Sequence, residues 1–247
     1  MKTYTKRCLL ILMSLCMLVS LAGCSATKGQ RYKSYIKSLM AANYLGVTDE
    51  YVRTTGATPD EADAMYLQNV TRLADNLTSY YGFEISNDEE LAPMMVEIAK
   101  KIYGKANYKV EKVYQDNNIY YVDVTISPIN ILNQTDADVK AYIEQFNQRV
   151  ESGEFENYTK EEYENEFAGG IIDILSAAID NIEYCEPETV SVRIIETEDS
   201  FYIGDEDFCA LDMLVIATSD SEPDVASATD SAMDQEVPAD ETAEDPE

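Results

Sequence analysis

Apolar residues recur at helical spacing in three stretches of the first hundred residues, namely 32–44, 62–80 and 94–102. The second stretch begins with a strong start signal, because Thr58 is a suitable N-cap, Pro59 suits the first helical position, and Glu61 can close a capping box. Residues 48–55 predict a short helical turn or a loop. The first part of the chain is therefore predicted to be helical.

The apolar period then changes from helical to alternating. Residues 108–114 and 119–126 alternate on either side of the turn sequence 115–118, which predicts a β-hairpin. Residues 188–196 and 201–203 predict a second strand pair. Three more helices are predicted around it, over 135–150, 159–181 and 206–217.

Two of these later helices carry start signals. Thr135 and Asp138 predict a cap pair for the helix over 135–150, and Thr159 with Glu162 predicts a capping box for the next. The predicted order is ααα-ββ-αα-ββ-α. Helix runs that alternate with antiparallel hairpins indicate the α+β class, with helices packed on a small antiparallel sheet made of two β-hairpins.

The amino terminus has the three zones of a signal sequence. Lys2, Lys6 and Arg7 are followed by the apolar run 8–21, whose 14 residues are fewer than the about 20 needed to span a bilayer. The run ends in Leu21-Ala22-Gly23-Cys24, which resembles the lipobox of bacterial lipoproteins. That resemblance implies a diacylglyceryl group on the Cys24 sulfur, with acyl chains such as palmitate, and cleavage just before Cys24. It also implies a lipid-anchored location on the extracytoplasmic face of the cell membrane.

The domain organisation follows from these boundaries. Residues 1–23 are the predicted signal peptide, and 24–29 are a short linker from the lipidated Cys24. Residues 30–218 are predicted to form the α+β extracellular domain, either as one unit or as two similar halves, 30–128 and 134–217. Residues 219–247 carry 11 acidic residues, no basic residue and no aromatic residue, which predicts a disordered acidic tail.

The chain is strongly acidic, and loss of the signal peptide would change the formal charge from −29 to −32. This charge argues against nucleic acid and anionic lipid headgroups as partners. It permits cationic peptides, divalent cations or neutral sugars. The simpler interpretation is that acidity keeps an exposed surface protein soluble.

Candidate chemistry is sparse, and we predict no cofactor, no metal site and no catalytic residue. The absence of histidine removes Ser-His-Asp and Cys-His machinery and the usual zinc ligands. Cys185 and Cys209 form an extracellular pair that either makes a disulfide or stays as two buried thiols.

Acidic groups are candidates for a glycosidase active site or for a calcium site. Glycosidases use two carboxylates across a cleft, whereas Glu161, Glu162, Glu164 and Glu166 share one helix and predict a solvated face. Calcium loops need a longer pattern than the Asp136-x-Asp138 spacing provides.

Tyrosine suits exposed binding faces because it offers apolar area and a hydroxyl group. Some of the 18 tyrosines are candidates for a cluster near the first hairpin, with the core as the alternative place for them: Tyr80, Tyr81, Tyr103, Tyr108, Tyr114, Tyr120 and Tyr121. Tyr120 and Tyr121 are adjacent on a strand and should point to opposite faces.

The sequence YLGVTDEYV, the helix start TGATPDEA and the ending SFYIGDEDFCALDMLV resemble uncharacterised lipobox-containing lipoproteins of Gram-positive, Firmicutes-type bacteria. The resemblance implies a lipid-anchored domain and no known activity. We expect a non-catalytic binding or interaction domain for a protein, peptide or glycan. The alternatives are a carboxylate-dependent cell-envelope hydrolase and a structural surface protein without a discrete ligand.

Overall fold

The structure is a computed structural model that describes residues 27–83 and 91–219. The predicted signal peptide, Cys24 and residues 220–247 lie outside the described residues, so what was predicted for them stays a prediction. Within the described ranges, no helix is both long and apolar enough to cross a bilayer.

The described chain is α+β, as predicted, with the elements in the predicted order. Its helices are α1 (Lys28–Met40), which continues into a π-helical segment (Ala41–Leu45), α2 (Asp49–Thr55), α3 (Pro59–Tyr80), α4 (Leu91–Tyr103), α5 (Ile131–Glu151), α6 (Lys160–Ile179) and α7 (Asp205–Val215). Its strands are β1 (Asn107–Asp116), β2 (Ile119–Ser127), β3 (Glu188–Glu196) and β4 (Phe201–Ile203). The segment predicted as a helical turn or a loop is helix α2.

The two predicted hairpins join in one antiparallel sheet with the strand order β1-β2-β3-β4. Asn117 and Asn118 connect β1 to β2 with φ of 46° and 65°, which are values of a type I′ turn. A β-bulge between Val110 and Val113 interrupts the pairing of β1 with β2. The first and second halves of the domain therefore share one sheet, because β2 pairs with β3.

One face of this sheet is covered by helices and forms the core. Alternate strand residues are buried there: Val110, Val122, Val124, Ile126, Val192, Ile194, Phe201 and Ile203. Helix α1 packs on them, with Tyr32 edge-on to the rings of Tyr120 and Phe201 at 5.1 and 4.8 Å. We call this the covered face and the opposite surface of the same strands the open face.

Two of the predicted helix starts are confirmed and one is wrong. Thr58 with Glu61 and Thr159 with Glu162 both form complete capping boxes. Helix α5 begins at Ile131, however, and Thr135 lies buried inside it with its hydroxyl donating to the Ile131 carbonyl. Backbone hydrogen bonds at Ile129 and Asn130 set the turn into this helix, so no Thr135 cap is needed.

Helices α5 and α6 approach each other closely at Gly170. A Cβ added there would lie 2.1 Å from the ring of Tyr142 on α5. The Tyr142 hydroxyl donates to the carbonyls of Glu166 at 2.9 Å and of Phe167 at 3.1 Å, which holds the ring in place. Only glycine fits this contact without a shift of the ring.

Candidate functional site

The open face of the sheet presents polar and aromatic side chains to solvent. They alternate with the buried residues of the covered face along β1, β2 and β3: Lys109, Lys112, Tyr114, Tyr121, Asp123, Thr125, Thr189, Ser191 and Arg193. The strand period of two, shifted by one residue at the β-bulge of β1, places these side chains on a single surface.

Two tyrosines stack on the open face near the turn that joins β1 to β2. Tyr114 and Tyr121 are directly opposite in the β1–β2 register, with ring centroids 5.5 Å apart and planes inclined by 19°. Tyr114 is 37% exposed, and Nζ of Lys112 lies 5.2 Å from its ring centroid. One face of each ring is thus covered by the other ring, and Lys112 lies near the ring of Tyr114.

A hydrogen-bonded chain crosses three strands beside these rings. The Tyr114 hydroxyl donates to Ser191 Oγ at 3.2 Å, and Ser191 Oγ donates to Asp123 Oδ1 at 2.7 Å. Lys112 Nζ lies 3.5 Å from Asp123 Oδ2. These contacts fix the side chains on a paired backbone, so a partner would meet a surface that is already ordered.

Helix α7 borders the open face beyond the end of β4. Asp207 Oδ1 accepts a hydrogen bond from the backbone N–H of Arg193 at 3.3 Å, which satisfies a donor at the edge of β3. Burial raises the pKa of Asp207, and the Arg193 N–H and guanidinium partly oppose the rise. Asp207 therefore has a structural task at the sheet edge.

A second polar cluster lies inside the helical layer. Arg72 of α3 forms a two-pronged ion pair with Asp212 of α7, at 2.7 and 2.9 Å. The Tyr44 hydroxyl donates to the same carboxylate at 2.9 Å, and Asn69 accepts from Arg72. Because the side chains of Arg72 and Asp212 are only 23% and 10% exposed, this cluster joins α7 to the helices from within.

Charge and burial shift the pKa values in this second cluster. Burial of Tyr44 and the neighbouring charge of Asp212 raise the pKa of the Tyr44 hydroxyl well above its usual value. Burial alone would lower the pKa of Arg72, but its hydrogen bonds and ion pair with Asp212 more than reverse this and raise it. Tyr44 thus stays protonated and Arg72 stays charged, which suits a structural link.

A shallow cleft of about 480 Å³ lies between α5 and α6. Asp138 and Asp173 stand at its walls, and Ile174 and Ala178 line it as well. Both carboxylates are exposed. Solvent therefore reaches both carboxylate groups.

The predicted tyrosine cluster divides into separate groups. Tyr81 and Tyr103 are buried in the helical layer, and Tyr80 packs edge-on to Tyr81 at 4.8 Å. Tyr120 lies on the covered face against Tyr32, whereas Tyr121 lies on the open face, as predicted for adjacent strand residues. The predicted cluster is therefore divided between the core and the open face, and Tyr114 and Tyr121 lie on the open face.

Three of the four glutamates that were candidates for catalysis have structural partners. Glu162 closes the α6 capping box, Glu164 pairs with Lys160, and Glu166 pairs with Arg149. Asp136 pairs with Lys140. In residues 27–83 and 91–219, no group of three or more His, Cys, Asp or Glu side chains is placed to hold a metal ion.

The two cysteines of the domain are far apart in sequence and both half-buried. Cys185 follows α6, where its N–H donates to the Pro128 carbonyl at 2.8 Å, and Cys209 lies on α7. Both carry thiols in this structure. The disulfide between them stays a prediction.

Sequence reasoning missed the pair of Arg72 and Asp212. The two residues are 140 positions apart, so no local spacing links them. A weak signal existed in α3, where Asn69 and Arg72 lie three residues apart beside the apolar positions Val70 and Leu73. Polar residues on an inward helix face need partners, although the sequence does not say which ones.

Comparisons with known proteins add a fold relationship. No protein-family model matches the chain, and no curated protein matches it. The crystal structure of YcdA from Bacillus subtilis, a protein provisionally classed as a lipoprotein, superposes with a TM-score of 0.52 at 14% identity over 77% of this chain. The chain spans 58% of the length of that protein. At this identity, the likeness establishes a shared fold.

Proposed function

We propose that this chain is a lipid-anchored protein on the extracytoplasmic face of the cell membrane, and that its α+β domain binds another protein without catalysing a reaction. The anchor rests on the signal sequence and the Leu21-Ala22-Gly23-Cys24 motif. It is in keeping with the fold shared with YcdA, a protein provisionally classed as a lipoprotein.

The open face carries the binding part of the proposal. Along β1, β2 and β3 it displays tyrosine rings, hydroxyl groups and charges of both signs on a hydrogen-bonded sheet. Protein interfaces are enriched in tyrosine and arginine and combine apolar area with hydrogen bonds. A glycan fits less well, because sugar rings stack on aromatic faces. One face of the Tyr114 ring and one face of the Tyr121 ring already cover each other.

The anchor is tested by replacement of Cys24. In cells that make the Cys24→Ala variant, we expect full-length precursor that takes up no labelled palmitate, whereas wild-type protein is labelled and shortened. Mass spectrometry of the amino terminus gives the cleavage site. Normal processing and membrane retention of Cys24→Ala would show that the anchor lies elsewhere.

Binding is tested by cross-linking on intact cells with a matched pair of tyrosine variants. Tyr114 and Tyr158 are 37% and 43% exposed, but only Tyr114 lies on the open face. Truncation of a central interface tyrosine typically weakens binding about tenfold or more. We expect Tyr114→Ala to lose a specific cross-linked protein that wild type and Tyr158→Ala both retain.

Two results would contradict this function. Equal cross-linking by all three proteins would exclude the open face as the interface. Binding of purified cell-wall glycan that depends on Tyr114, without a cross-linked protein, would replace the protein partner with a sugar.

A further inference from the structure

The positive charges of the domain are unevenly paired. All 15 Lys and Arg residues after Cys24 fall within the described residues. Ten of them lie within 4 Å of a described carboxylate. The five without such a partner in residues 27–83 and 91–219 are Arg31, Lys33, Lys37, Lys101 and Lys105.

These five cations belong to neighbouring parts of the fold. Arg31, Lys33 and Lys37 are on α1, whereas Lys101 and Lys105 lie in the last turn of α4 and in the turn that leads into β1. The π-helical end of α1 touches the end of α4, where the Tyr44 and Tyr103 rings are 5.2 Å apart. Lys33 and Lys105 therefore lie on the β1 side of the sheet, whereas the Arg31 guanidinium lies 5.7 Å from the ring of Phe201 on β4.

Helix α1 lies on the covered face, and one side of it borders β1. Its first turn touches the far part of β1, where a Cβ on Gly29 would lie 3.6 Å from Val113, and Lys33 donates to the carbonyl of Glu111. Four helix residues and two strand residues both advance about 6 Å. Lys37 consequently lies near Lys109 and the start of β1.

The outward row of α1 is polar and contains no acidic residue. Tyr32, Tyr35, Ile36, Leu39 and Met40 face the core, while Gln30, Lys33, Ser34 and Lys37 are exposed. The first acidic residue after Cys24 is Asp49. In a chain with a formal charge of −29, this row is a basic surface, and the carboxylates of Glu111 and Glu196 at its borders are paired with Lys109 and Lys28.

The position of α1 in the chain places this surface near the proposed anchor. Thr27 is the N-cap of α1 and follows Cys24 by three residues, which reach at most about 11 Å when extended. Charges separated by more than about 8 Å of salt solution are largely screened. The cations of α1 would therefore sense a membrane surface more strongly than the acidic groups on the far side of the domain.

We propose that the outward row of α1, with Lys33 and Lys37 at its centre, lies against the membrane and contacts anionic phospholipid headgroups. This inference rests on the proposed anchoring at Cys24. The net charge of the whole chain argued against such headgroups, but the distribution of charge makes α1 an exception. The open face, on the other side of the sheet from α1, remains available to a partner.

Lysine acetylation of the lipidated wild-type protein tests the orientation. The protein is reconstituted in vesicles of phosphatidylcholine alone or with 30% phosphatidylglycerol, a proportion of about one anionic lipid in three that gives a strong surface potential. Labelling is then measured by peptide mass spectrometry. We expect Lys33 and Lys37 to be labelled at least about threefold more slowly on the anionic vesicles. Lys140 and Lys160, on α5 and α6, serve as internal controls that do not change.

A pair of charge-matched variants distinguishes contact of α1 with the headgroups from a general effect of the net charge of the protein. Lys33→Gln/Lys37→Gln and Lys140→Gln/Lys160→Gln remove the same charge. In the wild type, Lys101 and Lys105 should also be labelled more slowly on the anionic vesicles. Each basic residue near an anionic surface strengthens association roughly fivefold. The first variant should therefore lose this protection of Lys101 and Lys105, and the second should keep it.

The outcomes distinguish the two proposals. If the wild-type protein floats with neither type of vesicle, the proposed anchoring at Cys24 is wrong, and the proposed orientation is wrong as well. If the protein floats but Lys33 and Lys37 are labelled equally on both vesicles, the anchor stands and the orientation is wrong.

Discussion

The two faces of the sheet are built from the same strands and differ at every second residue. On β2, Val122, Val124 and Ile126 are buried on the covered face, while Asp123 and Thr125 between them belong to the open face. The covered side is stabilised by burial of apolar area, and the open side by side-chain hydrogen bonds in contact with water. Stability and recognition can therefore be changed independently, one residue apart.

The largest effect should come from charge on the covered face. Val124 is fully buried and lies between Val110 and Val190, so Val124→Asp would place a carboxylate in the core. A buried unpaired charge costs several kcal/mol, which is comparable to the 5–15 kcal/mol that typically stabilises a domain. We expect no cooperative unfolding transition. The chain has no tryptophan, so far-ultraviolet circular dichroism is the appropriate measurement.

The neighbouring residue provides the control for that experiment. Thr125 lies on the open face opposite Lys109, and Thr125→Asp exchanges a hydroxyl contact with Thr189 for a charge near this lysine. We expect a change in the free energy of unfolding below about 1 kcal/mol, as for exposed ion pairs. A loss as large as that of Val124→Asp would mean that the open face is covered in solution.

An intermediate effect should come from the polar cluster on the covered side. Arg72→Met keeps the aliphatic stem but leaves Asp212 without its guanidinium, and removal of one partner of a buried pair costs 3–5 kcal/mol. We expect Arg72→Met to lower the free energy of unfolding by about 3 kcal/mol, the lower end of this range, because the Arg72 side chain is 23% exposed.

The free energy of unfolding of Arg72→Met can be compared with that of two further variants. Replacing both partners, as in Arg72→Met/Asp212→Leu, should restore most of the stability, since no charge is left unpaired. Asp123→Asn, in the polar network of the open face, should lower the free energy of unfolding by less than about 1 kcal/mol. Urea unfolding curves measure all three, and a small effect of Arg72→Met would remove the distinction between the polar networks of the two sides.

The parts of this fold that were predictable from sequence are those set by local rules. The period of two assigned Val122 and Asp123 to different faces, and Thr58 and Thr159 marked two helix starts through their capping boxes. The start of α5 was missed because backbone contacts from Val215 and Glu183 determine it, and both residues are distant in sequence. Tyr114 was recognisable as a candidate, but its contact with Ser191 depends on how β2 pairs with β3.

A smaller effect than that of Arg72→Met concerns adjacent glycines of α6, one facing Tyr142 of α5 and one facing open space. A Cβ on Gly170 would meet the Tyr142 ring at 2.1 Å, whereas a Cβ on Gly169 would meet nothing within 4 Å. Gly170→Ala should therefore lower the free energy of unfolding by about 1–3 kcal/mol through overpacking. Gly169→Ala should raise it by up to about 1 kcal/mol, because alanine favours the helix. Thermal unfolding of both variants measures the difference, and equal shifts in the melting temperature would show that α5 and α6 separate easily. Opposite shifts in the melting temperature would show that α5 and α6 are as tightly packed at Gly170 and Tyr142 as the structure indicates.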